Sequence, residues 1–383
     1  MSAGLTQSIL PLYNLCMKQI NLQELKPGMV TAENIFSLSG HLLVPKGMSL
    51  TNNMIAMLYS YNIHKLKIED SASLAADSIE DLEEDFPFRL PEEERKKKKA
   101  EIARFKNYYS NHLQEFQTNI NRLVDMNSTM SVDVLLTQVL NLLDTGGKPV
   151  NFLDMLVYMR EYTGDIYSHC MNVSLLCNVL AGWLQFSEAD RRLAAACGML
   201  HDIGKTKIPK EILEKPGPLT PEERRIVNRH PEDSYNILSG HNVAETIKRA
   251  ALMHHEKCDG SGYPYKLQSH QIDKFAKIVT ICDIYNALTS NRPFRKAMSP
   301  FSAIEYLEQD GLQKYDTQCI LVFIENAANT FLHSPVLLSD GRKGTVVFLN
   351  RGHLGRPTVQ CGPEFIDLRT RPDLTIVEII PAV

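Results

Sequence analysis

The chain has 383 residues, 44% of them hydrophobic, with a formal net charge of −4 and a sequence pI near 6.3. That length buries a large core and suggests more than one domain. The near-neutral balance excludes bulk charge as a drive onto nucleic acid polymers or anionic membranes, and leaves small anions held by local basic groups as ligands.

Met1 to Met17 lacks a basic start, a long apolar run and a small-residue cleavage signal, so a cytoplasmic protein is expected. No segment reaches the roughly 18 consecutive apolar residues that a spanning helix needs, and no membrane insertion is expected. Between about 20 and 70, turn signals alternate with short β-like runs. They are Lys26-Pro27-Gly28-Met29, then Gly40 through Leu42-Leu43-Val44 to Lys46-Gly47, then Leu66-Lys67-Ile68. Thr51 to Tyr61 has helical spacing at Ile55, Leu58 and Tyr59. These features predict a small N-terminal α/β module over 1–90, which ends in an acidic, loop-like stretch from Ser71 to Leu90. It holds no catalytic grouping, so a regulatory or interaction role is expected.

A helical linker is predicted over 91–131. Ile102, Phe105, Tyr109, Leu113, Phe116, Ile120 and Leu123 recur by threes and fours, close to a heptad seam. That stripe serves either to pack on the chain's own core while connecting domains, or to form a homodimer through 100–125. The Lys96 to Lys99 run has no aromatic platform beside it and reads as a solvated helix face. Residues 132–332 are densely helical in pattern, with Val173, Leu176, Cys177, Leu180 and Leu184 marking one buried face. The tail, 333–383, changes to short β-like runs at Val336-Leu337-Leu338, Gly344 to Phe348 and Phe365 to Leu368, predicting a β-like appendage. The eight cysteines are scattered without a CxxC pair, which points to reduced thiols rather than disulfides or structural zinc. Cys177 and Cys197 fall in apolar helical patterns, as small buried hydrophobes do.

Chemistry concentrates in the helical region. Met199-Leu200-His201-Asp202-Ile203-Gly204-Lys205 ends an apolar helix with a His-Asp pair. His169 precedes it, while His230, the adjacent His254-His255, and Asp283 follow, all in or beside apolar stretches. Buried polar groups need compensation there. Any one of these histidines alone reads as a hydrogen-bonded core residue. The ordered set, with imidazole nitrogen, carboxylate oxygen and no thiolate, points to divalent ions such as iron or manganese.

With His254-His255-Glu256-Lys257-Cys258-Asp259-Gly260-Ser261-Gly262-Tyr263-Pro264, the pair His201-Asp202 resembles the signature of the HD-GYP family. The stretch Asp283 to Arg295 resembles that family's following helix and basic loop, and the likeness runs from about Phe152 to Leu332. The resemblance implies a mainly α fold, a helical HD-domain bundle. It implies hydrolysis of cyclic di-GMP to pGpG, GMP or both. By its pattern His169, His201, Asp202 and Asp283 correspond to ligands of one metal, and Asp202, His230, His254 and His255 to those of its neighbour, with Asp202 bridging. Lys205 matches a residue at the scissile phosphate, and Arg292 and Arg295 match basic residues near the substrate. Iron is the first expectation and manganese the next. Two departures stand out: Cys258 replaces a bulky apolar residue, and Asp165 stands where a subset of members has a glutamate that helps hold a third metal. Asp165 and His169 lie one helical turn apart, so Asp165 is a candidate third-metal ligand; the competing reading is a helix-start cap.

Two metals would activate a bridging hydroxide for in-line attack on the phosphate. A diguanylate cyclase or another signalling protein is an expected partner. The rival readings are a catalytically weak cyclic-dinucleotide receptor and a nucleotide phosphohydrolase of the broader HD fold. The loop from Asp259 to Pro264 lacks the P-loop pattern.

Overall fold

The computed structural model describes residues 17–69 with interruptions, 92–125, 132–143, 165–291 and 295–380. Backbone proximity divides the chain into Met1–Asp85 and Phe86–Val383.

In the first unit, strand β1 (Met17–Asn21) pairs antiparallel with β4 (Lys65–Glu69), and β2 (Ile35–Phe36) with β3 (Leu42–Val44). Alternation sets the faces: Leu66 and Ile68 are buried while Lys65 and Lys67 are exposed. Ile20, Val44, Leu50 and Leu58 complete a small core with them. Gly28 and Gly47 take φ of +91° and +79° at the two predicted turns, a region in which a Cβ is disfavoured. The stretch from Thr51 to Tyr61 is described as helix at Met54, Ile55 and Leu58. This is the predicted α/β module; the acidic stretch from Ser71 to Leu90 lies outside the described residues.

The second unit opens with α1 (Glu92–Val124), followed by α2 (Val132–Leu140). Phe105, Tyr109, Phe116, Ile120 and Leu123 of α1 are buried in the main core. Tyr109 Oη donates to Asn172 Oδ1 at 2.5 Å, and Tyr167 Oη to Asn121 Oδ1 at 2.6 Å. These residues of the stripe thus follow the first of its two readings, packing on the chain's own core.

The centre of the bundle is a helical pair, α3 (Ile166–Trp183) and α4 (Glu188–Leu200). Small residues let them approach: a Cβ at Gly198 would lie 2.8 Å from both Val173 O and Cys177 Sγ. After the largely exposed α5 (Pro221–Val227), the bundle is completed by α6 (His230–Ser239), α7 (Glu245–Met253), α8 (Lys274–Thr289), α9 (Pro300–Tyr306) and α10 (Thr317–Thr330). Cys177 and Cys197 are fully buried free thiols, as their setting predicts. No helix among the described residues is long and apolar enough to cross a membrane.

The C-terminal appendage is an antiparallel sheet in the order β8-β7-β6-β5-β9. Its strands are β5 (Pro335–Leu338), β6 (Lys343–Asn350), β7 (His353–Cys361), β8 (Glu364–Asp367) and β9 (Ile376–Ile379). A π-helical turn after α9 (Leu307–Gly311) fixes it to the bundle: Glu308 accepts from Leu354 N at 2.7 Å and Gly355 N at 2.9 Å. The chain is thus mainly α, a helical bundle with a small sheet-bearing module before it and strands after it.

Candidate metal centre

Helix ends and helix faces deliver the polar groups to one point. His201 caps the C-terminus of α4 and Asp202 opens the 3₁₀ turn Ile203–Lys207. His230 begins α6, His254 caps the end of α7 with His255 next, His169 lies in the first turn of α3, and Asp283 is central in α8.

Asp202 is the hub. Its Oδ2 lies 3.3 Å from His169 Nε2 and 3.4 Å from His201 Nε2, while its Oδ1 lies 3.1 Å from His230 Nε2 and 3.5 Å from His254 Nε2. Asp283 Oδ1 is 3.0 Å from His169 Nε2. The ligand atoms of His169, His201 and Asp202 all fall within 4.8 Å of one another, as do those of Asp202, His230, His254 and His255. Each carboxylate oxygen of Asp202 thus faces a different set of imidazoles.

The outer nitrogens fix what the inner ones present. Nδ1 of His201 lies 2.8 Å from Gly198 O, that of His230 2.6 Å from Val227 O, and that of His254 2.8 Å from Ala251 O. Backbone carbonyls only accept, so each Nδ1 carries the proton and each Nε2 turns a bare lone pair inward. The Nε2 atoms of His230 and His254 then face each other at 3.2 Å. Two lone pairs at that distance repel unless a cation joins them. His169 Nε2, His201 Nε2 and Asp202 Oδ1 are buried without a hydrogen-bond partner, which would be costly in an apolar bundle. A divalent ion that accepts nitrogen and oxygen lone pairs removes that cost, and this donor set fits one.

For three of the imidazoles protonation agrees with that fit. Burial pushes the His230, His254 and His255 imidazoles below their ordinary pKa, which favours their neutral forms near pH 7. Burial would also lower His169, but Asp202 and Asp283 beside it outweigh burial and raise it. Burial opposes the charge on Asp202, yet His201 and Lys205 hold its carboxyl well below the usual range. Asp283 is held down likewise, against burial, chiefly by His169.

Of the other expected residues, Lys205 Nζ lies 2.5 Å from Asp202 Oδ2 with its side chain partly exposed. Arg295 is exposed and donates to Ala287 O near the end of α8. Arg292 lies outside the described residues. Asp165 has the geometry of the helix-cap reading: its Oδ1 accepts from Tyr167 N at 2.8 Å and Ser168 N at 2.9 Å, and its Oδ2 from Ser168 Oγ at 3.0 Å. It is the N-cap of α3 and belongs to neither converging group among the described residues. Free backbone N–H groups at the helix start are what the carboxylate satisfies there.

Supporting residues that the sequence reading passed over complete the site. Ser234 Oγ donates to His201 O at 2.9 Å and accepts from Gly204 N at 2.8 Å, tying the His-Asp turn to α6. Asn286 Oδ1 lies 2.7 Å from His169 Nδ1. Buried Glu256 accepts from Tyr265 N at 2.6 Å and Leu267 N at 2.9 Å, folding the glycine-rich loop back so that Tyr263 stacks on His255, centroids 4.6 Å apart. The spacing held a signal for two of them: Ser234 is one helical turn beyond His230, and Asn286 one turn beyond Asp283. A cavity of about 760 Å³ between α2, α4 and the turn before α7 is lined by none of the cluster.

Residues 156–319 match the family model described as an HD domain. Over 212 residues the chain is 36% identical to a cyclic di-GMP phosphodiesterase of Pseudomonas aeruginosa, covering 55% of this chain and 51% of that one. It is 35% identical over 179 residues to the cyclic di-GMP phosphodiesterase response regulator RpfG of Xanthomonas campestris, covering 46% and 47%. It is also 36% identical over 151 residues to 3'3'-cGAMP-specific phosphodiesterase 3 of Vibrio cholerae, covering 39% and 33%. The chain spans about half, or less, of the length of these curated relatives. The converging residues thus lie within an HD domain, and the relatives that this part of the chain resembles are cyclic-dinucleotide phosphodiesterases.

Proposed function

We propose that the chain hydrolyses cyclic di-GMP to pGpG, GMP or both at a centre of two divalent ions, iron first and manganese next. The supporting observation is Asp202, whose two oxygens face separate imidazole sets that turn unpartnered lone pairs toward it. His169, His201 and Asp283 would hold one ion, and His230, His254 and His255 the other, with Asp202 shared. Bound there, such ions supply Lewis acidity toward phosphoryl oxygens and a water of lowered pKa.

The chain's own groups do the rest. Lys205, on the partly exposed side of Asp202, is placed to stabilise negative charge growing on a phosphoryl oxygen. Arg295 is exposed, donates to Ala287 O near the end of α8, and would offer positive charge to the dinucleotide's phosphates. Burial, then Asp202 and Asp283, push the Tyr263 phenol far up, so it stays neutral against His255. Cyclic di-GMP is favoured by the names of the Pseudomonas and Xanthomonas relatives, and the Vibrio relative marks 3'3'-cGAMP as the competing substrate of the same class. The N-terminal module is assigned a regulatory or interaction role, and the loop from Asp259 to Pro264 is the surface that a diguanylate cyclase or another signalling protein would contact.

The test is product analysis of the purified protein with cyclic di-GMP and with 3'3'-cGAMP, before and after chelation. Linear products from cyclic di-GMP that vanish with chelator and return with iron or manganese are expected. Tight binding of the dinucleotide with no product would instead establish a receptor.

A further inference from the structure

For His201, His230 and His254, the Nδ1 brace is a backbone carbonyl three residues earlier, which no side-chain change removes. His169 differs. Its Nδ1 is braced at 2.7 Å by the side-chain oxygen of Asn286, which is 5% exposed. Asn286 lies one turn from Asp283 on α8, and Asp283 Oδ1 lies 3.0 Å from the ring's other nitrogen. One helix therefore grips both nitrogens of an imidazole carried by another.

The amide's orientation decides which nitrogen is bare. With Oδ1 toward Nδ1, the proton sits on Nδ1 and Nε2 offers its lone pair. Without that acceptor, Nδ1–H is buried unpartnered, or the proton shifts to Nε2, where Asp202 and Asp283 accept it. Either outcome weakens Nε2 as a ligand.

We infer that Asn286 is a positioning residue that selects the His169 tautomer, and so governs the ion held by His169 and Asp283 without governing the ion held by His230, His254 and His255. This rests on the two-ion reading above. Outer partners of metal-bound histidines are worth about 10- to 100-fold in affinity.

The experiment is titration of manganese against a competing chelator for the parent, Asn286→Leu and Asn286→Asp, with circular dichroism to establish folding. Asn286→Leu should keep one ion at parent affinity and bind the other about 10- to 100-fold more weakly. Asn286→Asp retains an acceptor oxygen and should keep both. Unchanged affinity for two ions in Asn286→Leu overturns the assignment, as does equal weakening of both in the folded protein. Selective loss of one ion in Asn286→Asp overturns it too. A parent chain that binds fewer than two ions fails the reading beneath, which the parent titration shows separately.

Discussion

Asp202→Ala is expected to lose both ions and to reduce turnover to background. Both carboxylate oxygens are engaged, Oδ2 toward His169 and His201 and Oδ1 toward His230 and His254. No other described carboxylate lies between the two imidazole sets, and Asp283 reaches only the first. On the two-ion proposal, deleting Asp202 would therefore remove a ligand from each ion and the negative charge that offsets both. It also leaves Lys205 without its partner at 2.5 Å. Elemental analysis of protein loaded identically with the parent, together with circular dichroism, checks the expectation. A folded variant that retains two ions per chain would sink the bridging role.

Gly204→Val is expected to destabilise the fold and displace His230 together. A Cβ at Gly204 would meet His230 O at 2.2 Å and Ser234 N at 2.6 Å. Those are backbone atoms of α6, so the clash is relieved only by moving the helix. Overpacking of this kind costs about 1–3 kcal/mol, and here the moving helix carries an imidazole of the converging cluster. The melting temperature should fall and metal uptake should weaken. Gly217→Ala, where nothing lies within 4 Å of the added carbon, is the control and should change neither. An unaltered melting temperature in Gly204→Val would show that the His-Asp turn and α6 are not locked as described.

The converging residues were legible because the chemistry uses residue types that apolar helices otherwise avoid. His201-Asp202 and His254-His255 announce themselves at helix ends. What braces them was mostly not legible: Gly198, Val227 and Ala251 act through backbone carbonyls, so their side chains carry no signal. Asp165 shows a different limit, since an aspartate at a helix start looks the same in sequence whether it caps the helix or binds an ion. The stripe on α1 revealed an apolar face but not what covers it. In the tail, β6 and β8 were readable from β-branched and aromatic runs, whereas β7 was hidden by Gly355 and Pro357. Proline cannot donate to a ladder, and the register of β6 against β7 shifts between Phe348 and Asn350, beside Pro357.

The most direct measurement is the number of ions bound per chain, taken by elemental analysis of the intact protein reconstituted anaerobically with iron or manganese. Two separate imidazole sets sharing Asp202 predict two ions per chain, both removable by chelation and both restored on reloading. A saturated protein holding one ion or none would contradict the two-ion centre.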